Sequence, residues 1–200
     1  MLIPATSVIR YARYFRLAKV HRVLDYGAGL LRNALYLTEQ GFEVYAADVP
    51  EQVKALAAHP QAGRLAGLLT VGELAQAGLA VDLVLCTFVF NILATRNRKK
   101  QYLDNVVANL RPGGLFLIEV NSRQDDMACG SVLQHYYSCD GNAKSYNHDE
   151  LDRQLSPFGF ERVCHYYSSH ALAALYRLAE AKKNQTAFLT FNRKESIRGG

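Results

Sequence analysis

The sequence predicts one α/β domain in which a doubly wound, mostly parallel sheet has helices on both faces and a closing antiparallel strand pair. Short apolar runs alternate with segments of helical periodicity along most of the 200 residues. The runs are almost continuously apolar, which is typical of strands that are covered on both faces. The chain is long enough for one full hydrophobic core and too short for two ordinary domains.

The first half of the chain predicts a unit of strand, glycine turn, helix and strand. The predicted elements are a helix from a cap at Thr6 or Ser7 to Leu17, a strand over 22–26, a helix over 30–40 and a strand over 42–48. Gly27 and Gly29 form the turn, and Gly41 ends the helix. Pro50 suits the first turn of the helix that follows.

The second half continues the alternation. It predicts strands over 68–71, 81–90 and 115–120, helices over 98–110 and 149–155, and a closing strand pair over 160–167 and 171–178. The polar stretch 121–147 is predicted to be irregular, and a loop of this length is usually functional or mobile. We expect residues 1–180 to form the domain and 181–200 a basic tail.

Charge and cysteine usage limit the function classes. The net charge of +5 is modest, and its densest patches are at 96–100 and in the tail. Such patches suit either a nucleic-acid contact or ordinary solvated helix faces. The four cysteines have no CxxC spacing, so we expect reduced thiols and no metal site.

No segment predicts a membrane association. The first sixteen residues contain three arginines and no long apolar run of the kind that a signal peptide needs. No later stretch reaches the roughly 18 uncharged apolar residues of a membrane span. A cytoplasmic protein without a membrane partner is therefore expected.

The glycine turn after the first strand predicts a cofactor site. In open parallel sheets, ligands bind beyond the carboxyl ends of the strands, where the strand order reverses. A dinucleotide site would need a third glycine where Arg32 stands. A carboxylate at Asp25 would hold the ammonium group of a methionine moiety and would repel a pyrophosphate. The pattern therefore favours a cofactor with a methionine moiety.

Four segments, in order, carry a family resemblance. They are Val23-Leu-Asp-Tyr-Gly-Ala-Gly29 with the following Arg32-Asn-Ala-Leu-Tyr-Leu37, then Asp48, Asp82–Ile92 and Leu110–Leu115. Over about residues 20–120 the chain resembles the class I S-adenosylmethionine-dependent methyltransferases, and among them the small bacterial tellurite-resistance type. The resemblance implies a Rossmann-like fold, S-adenosylmethionine as cofactor and methyl transfer as the reaction.

The resemblance also implies the cofactor-binding residues. They are Asp25, Gly27, Ala28, Gly29, Asn33, Asp48, Val49, Glu73, Thr87 and Phe88. Asp48 would bind the ribose hydroxyls, and Glu73 is the only match for an acidic residue near the adenine. Leu31 occupies the position of the family's third glycine, so we expect a narrower turn.

The acceptor side is less defined. His135, with Tyr136 and Tyr137 beside it, is the candidate general base, because a histidine can take up a proton near neutral pH. His148 and Glu119 are weaker candidates for the same role. Tyr11 and Tyr14 are expected to pack, although they could instead cover the cofactor.

The residues at the mouth of the fourth strand allow two interpretations. Thr87, Phe88 and Asn91 could touch cofactor or acceptor, and Phe88 could equally be core. Asn91 is not followed by Pro-Pro and an aromatic residue, which argues against methylation of exocyclic base amines.

Three functions remain open at this point. The first is methylation of a small molecule at oxygen, nitrogen or sulfur. The second is methylation of RNA or protein, which the basic patches allow. The third is a non-catalytic module that binds S-adenosylmethionine.

Overall fold

A seven-stranded sheet organises the computed structural model, which describes residues 3–122, 144–168 and 170–180. The strands are β1 (Arg22–Tyr26), β2 (Glu43–Asp48), β3 (Gly67–Thr70), β4 (Val81–Thr87), β5 (Leu110–Asn121), β6 (Phe160–Tyr167) and β7 (Ala171–Leu178). Their order across the sheet is β3-β2-β1-β4-β5-β7-β6. The first five strands are parallel, and β7 runs antiparallel to both of its neighbours. The predicted doubly wound sheet with an antiparallel pair is confirmed.

Six α-helices surround the sheet in this part of the chain. They are α1 (Thr6–Leu17), α2 (Arg32–Glu39), α3 (Pro50–Ala57), α4 (Val71–Ala77), α5 (Arg96–Asn109) and α6 (His148–Leu155). Single turns of 3-10 helix lie at Ala62–Arg64, Phe90–Ile92 and Ser156–Phe158. No helix among the described residues is long and apolar enough to cross a membrane.

Two predicted boundaries differ from the structure for identifiable reasons. The predicted fourth strand stops at Thr87 because Phe88 has a φ of 58°, which ends the extended conformation. The fifth strand already begins at Leu110, which pairs with Val81, and the register shifts before Leu83 pairs with Leu115. The predicted turn around Gly113 is therefore an irregularity inside β5 and not a loop before it.

The two faces of the sheet carry separate cores because successive strand residues point to opposite sides. Val23, Leu83 and Leu117 pack with α1 and α2. Leu24 and Phe116 pack with α4, α5 and α6 on the other face. The sheet is thus buried on both sides, and its exposed edge at the carboxyl ends of β1, β4 and β5 is where a ligand can reach the backbone.

Candidate functional site

The glycine turn between β1 and α2 depends on glycine at both of its positions. Gly27 has a φ of +92°, and a Cβ there would overlap the side chain of Val89. Gly29 has a φ of +54°, and a Cβ there would point into open space. Gly27 therefore prevents a clash with the protein, while Gly29 leaves its surface open to a ligand.

Asp48 ties this turn to the end of β2. Its Oδ2 accepts a hydrogen bond of 2.9 Å from the amide of Gly29, and its Oδ1 accepts one of 2.8 Å from Val49. Gln52, on α3, donates to the carbonyl of Gly29. Val49 is 51% exposed beside the carboxylate. The turn thus places a charged acceptor and an apolar side chain next to each other, which suits the ribose and base of a nucleoside.

A cavity of about 630 Å³ opens above the turn. Its lining consists of Ile3, Gly27, Ala28, Gly29, Leu30, Arg32, Asn33 and Thr87. The volume lies within the roughly 300–1,000 Å³ of small-ligand pockets. The first backbone amides of α2 lie at this turn, where a helix presents unpaired N–H groups. Five of the predicted cofactor-binding residues line this cavity: Gly27, Ala28, Gly29, Asn33 and Thr87.

Leu31 does not narrow the turn as the sequence suggested. Its backbone has a φ of 61°, so it adopts the left-handed conformation that a glycine would take. Its side chain is fully buried and packs in the core that contains α1 and α2. The leucine therefore costs about 1–2 kcal/mol of backbone strain without entering the cavity.

Asp25 lies beneath the turn and does not line the cavity. Its side chain is completely buried, and its carboxylate oxygens make no hydrogen bond of normal geometry with the described part of the chain. Burial raises the pKa of Asp25 to about 7, an effect that the nearby Ala34 amide and Arg32 charge partly oppose. A buried carboxylate without a partner is costly, and a cationic group bound above the turn would lower that cost.

Asn33 connects three elements around the cavity. Its Oδ1 accepts a hydrogen bond of 2.8 Å from the amide of Ala5, at the start of α1. Its Nδ2 donates to Oγ1 of Thr87 over 2.9 Å, at the end of β4. Both polar side chains are buried, so this network fixes α1 and β4 relative to the turn.

The carboxyl ends of β4 and β5 form a second group of side chains beside Thr87. Phe88 donates its amide to the carbonyl of Glu119 over 2.7 Å. The Phe88 ring lies parallel to the ring of His170, with the centroids 6.5 Å apart and 16° between the planes. Ser122 donates its amide to the carbonyl of His170 over 3.0 Å. An aromatic ring and an imidazole therefore lie at the sheet edge next to the cavity.

Glu119 is held below this ring pair. Its side chain is 5% exposed, and its Oε2 accepts a hydrogen bond of 2.5 Å from the hydroxyl of Ser7. Burial raises the pKa of Glu119, while the Ser7 hydrogen bond and the charges of Arg32 and His170 lower it. This carboxyl group therefore joins α1 to the end of β5.

Comparison with known proteins identifies the family. A family model described as a methyltransferase domain matches residues 5–181. The chain belongs to this methyltransferase family. The match confirms the enzyme class that the sequence predicted. No curated protein sequence matches the chain.

Solved structures similar to the methyltransferase share its fold at low sequence identity. The Burkholderia thailandensis 1,6-didemethyltoxoflavin-N1-methyltransferase, bound to its acceptor and S-adenosylhomocysteine, is 21% identical with a TM-score of 0.62, over 87% of this chain and 76% of that chain. The Synechocystis magnesium protoporphyrin IX methyltransferase with S-adenosylhomocysteine is 16% identical with a TM-score of 0.65, over 86% and 82%. Human N-acetylserotonin methyltransferase with S-adenosylmethionine is 18% identical with a TM-score of 0.69, over 87% and 52%.

Several predicted site residues lie elsewhere in the methyltransferase. Glu73 forms a capping box with Thr70 at the start of α4, where each side chain accepts from the other's backbone amide. His148 hydrogen-bonds Tyr167 and stacks on His165, with their centroids 4.2 Å apart. Neither residue lines the cavity. His135 lies outside the described residues.

Two further predicted residues, Tyr11 and Asn91, do not line the cavity. Tyr11 contacts Phe15, Tyr166 and Cys164, so it packs α1 against β6 and does not line the cavity. Asn91 is buried just after β4, where its backbone carbonyl accepts the amide of Lys144 over 2.9 Å and its side-chain Oδ1 has no hydrogen-bond partner among the described residues.

Sequence reasoning missed His170. The signal was present in the predicted antiparallel pair. An antiparallel strand beside the last parallel strand begins where that strand ends, and Ala171 indeed pairs with Asn121. The residue before the last strand therefore had to lie at the carboxyl edge of the sheet.

Proposed function

We propose that this methyltransferase uses S-adenosylmethionine to methylate a small molecule at oxygen, nitrogen or sulfur. The observation that carries the proposal is the turn at Gly27–Gly29, tied by Asp48 and open to a cavity of about 630 Å³. Similar structures contain S-adenosylmethionine or S-adenosylhomocysteine, which agrees with this methyl donor. Two of them are named for the small acceptors didemethyltoxoflavin and N-acetylserotonin.

The residues around the turn fit the donor. Asp48 would accept the ribose hydroxyls, and Val49 would cover the adenine. Ala28 and Gly29 would bring the backbone against the methionine moiety, and the buried charge of Asp25 would favour its ammonium group. Glu73 is not part of this proposed set, because its carboxylate already caps α4.

The chemistry places modest demands on the protein. When bound, S-adenosylmethionine supplies a methyl carbon activated by the positive sulfur. The chain's own residues must orient the acceptor and exclude water. Phe88 and His170 form a flat surface at the edge of the cavity region, and the imidazole could accept the proton of an O–H or N–H acceptor. We therefore propose His170 as the acceptor-side base among the described residues.

We also infer the finer classification from the sequence motifs. The segment 23–37 supports a relation to the small bacterial tellurite-resistance type of methyltransferase. We propose residues 1–180 as the catalytic domain, 181–200 as an appended basic tail, and the cytoplasm as the location.

Calorimetric titration with S-adenosylmethionine and, separately, with NAD tests the donor. The wild-type protein should bind only the first. Asp48→Ala should weaken that binding about 10- to 150-fold, because a hydrogen bond to a charged group contributes about 1.5–3 kcal/mol. Glu39→Ala, which removes an exposed carboxylate at the far end of α2, is the matched control and should bind as wild type. Absence of S-adenosylmethionine binding would overturn the proposed donor.

Incubation of the protein with methyl-deuterated donor and a metabolite extract tests the acceptor side. Mass spectrometry should show a labelled small molecule. His170→Ala should reduce the amount of labelled product by about 10²-fold or more and leave the donor affinity unchanged. His59→Ala, which changes a partly buried surface histidine, is the control and should leave the amount of labelled product unchanged. Donor binding without labelled product would instead support a non-catalytic module.

A further inference from the structure

A second cavity, of about 550 Å³, lies between α5 and α6 on the other face of the sheet. Among the residues that the structure describes, five cationic side chains line it and no carboxylate does. They are Arg96, Lys99, Lys100, Lys144 and Arg153. Leu103, Pro157 and Phe158 provide an apolar wall. We call this feature the basic groove.

The positive charge of the basic groove is only partly neutralised. Lys100 pairs with Asp104 at 2.7 Å, and Lys144 lies 3.9 Å from Glu150. Arg96, Lys99 and Arg153 have no ion pair within 4.0 Å among the residues that the structure describes. The groove therefore concentrates three unneutralised cations around one concave surface.

Lys99 and Lys144 converge on one aromatic ring. The ammonium of Lys99 donates to the hydroxyl of Tyr146 over 2.6 Å and lies 5.3 Å from its ring centroid. The ammonium of Lys144 lies 4.8 Å from the same centroid. Burial and the charge of Lys144 both lower the pKa of Lys99. Two like charges are thus held together at some cost, which a bound anion would offset.

The groove is anchored to the sheet edge. Tyr146 is fully buried, and its amide donates to the carbonyl of Asn121 at the end of β5 over 2.8 Å. Lys144 is similarly held by the carbonyl of Asn91, just after β4. The cations are therefore positioned by the fold and not only by flexible side chains.

We propose that the basic groove binds the phosphate group of a small molecule. Three unneutralised cations can balance both negative charges of a phosphate dianion. A single carboxylate would balance only one of these cations. The guanidinium groups of Arg96 and Arg153 suit two-point recognition of phosphate oxygens. The wall at 157–158 would contact the rest of the ligand. A polynucleotide is less well matched, because the five cations surround one half-open cavity and do not follow an extended track.

Calorimetric titration with inorganic pyrophosphate, inorganic phosphate and ribose 5-phosphate tests this site. Wild-type protein should bind at least one of them with a Kd below ~1 mM. Lys99→Gln and Arg153→Gln should each weaken that binding at least tenfold, and Lys99→Arg should retain it. Lys54→Gln, an exposed change on α3, is the matched control.

The same variants should bind S-adenosylmethionine as wild type does, so this proposal and the proposed donor can fail independently. A urea midpoint equal to that of wild type shows that a variant is folded. Binding of all three probes weaker than ~1 mM, or equal binding by wild type and both glutamine variants, would overturn the proposal. Binding of a twelve-nucleotide single-stranded RNA that is tenfold tighter than that of every probe, and that weakens steeply with salt, would also overturn the proposal.

Discussion

Single residues at the glycine turn have separable tasks. Gly27 leaves space for Val89, Gly29 leaves space for a ligand, and Asp48 holds the turn through the amide of Gly29. Leu31 shows that a positive φ alone does not require glycine where the side chain can be buried. These roles can be distinguished by substitution.

Gly27→Ala should destabilise the protein more than Gly41→Ala does. Both glycines have a φ near +90°, but a Cβ at Gly41 meets nothing within 4 Å. The shared backbone strain costs about 1–2 kcal/mol, and the overlap with Val89 should add about 1–3 kcal/mol. Urea unfolding measures the loss of unfolding free energy in each variant. Equal losses would show that Val89 moves aside freely.

Asp25→Asn should stabilise the unliganded protein at pH 8 and change it little below about pH 4, where Asp25 is protonated in both the folded and the unfolded protein. The pKa of about 7 in the folded state lies above the ordinary value of 3.8, so folding favours the protonated form. The contribution of Asp25 to the free energy of unfolding therefore falls as pH rises from about 4 to 7, by at most roughly 4 kcal/mol, and is then constant.

Urea unfolding of Asp25→Asn across this pH range checks the slope. Asp25→Asn should lack the fall in unfolding free energy that Asp25 contributes. Asp104→Asn, which changes an exposed carboxylate on α5, should keep this fall. A stabilisation by Asp25→Asn that does not grow between pH 4 and pH 7 would contradict the raised pKa of Asp25.

At the scale of elements, the sequence predicted most strands and helices because their periodicity is strong. It did not predict α4, whose few apolar residues give little periodicity and whose first turn depends on the capping box of Thr70 and Glu73. It also predicted a turn where β5 begins, because Pro112 and the two glycines after it resemble a loop. In the structure these residues belong to β5, which pairs with β4 on both sides of a shift in register.

The sequence signals for the candidate site residues differ in strength. Spacing in a short motif predicted Gly27 directly after β1 and Asp48 at the end of β2, where the structure has them. His170 is brought beside the end of β5 by the pairing of Asn121 with Ala171, which are fifty residues apart along the chain, so no local pattern marks it. Glu73 matched only by position, and its side chain is used by the helix cap.

Thr70→Ala should lower the free energy of unfolding by about 1 kcal/mol, because it removes an N-cap. Glu73→Gln should have little effect, since glutamine also completes a capping box. Donor affinity should be unchanged in both variants. A loss of S-adenosylmethionine affinity in Glu73→Gln beyond about threefold would instead support the adenine role that the sequence suggested.

At the scale of the whole molecule, the cavity joins elements that are far apart in sequence. The Asn33 network fixes the start of α1 and the end of β4, and Ser7 fixes α1 to Glu119. A ligand above the turn should therefore stabilise the complete fold and not only one loop.

Thermal unfolding should reflect this connection. S-adenosylhomocysteine at about 100 times its Kd adds about 2.7 kcal/mol, which for a chain of this size corresponds to a Tm increase of roughly 5–10 °C. Differential scanning calorimetry of the wild type and of Asp48→Ala at the same ligand concentration checks it. An equal increase in both proteins would show that the stabilisation does not depend on the turn.

The reversal of strand direction at β7 has a consequence for how such an enzyme can diversify. The proposed donor-binding residues end at Thr87 and Phe88, whereas the turn that contains His170 belongs to the last hairpin of the sheet. Because neither Ser168 nor His170 lines the donor cavity, this turn can be varied independently of the donor site. A library of hairpin turns that all retain His170 should therefore yield catalysts with new acceptors and an unchanged affinity for the same methyl donor.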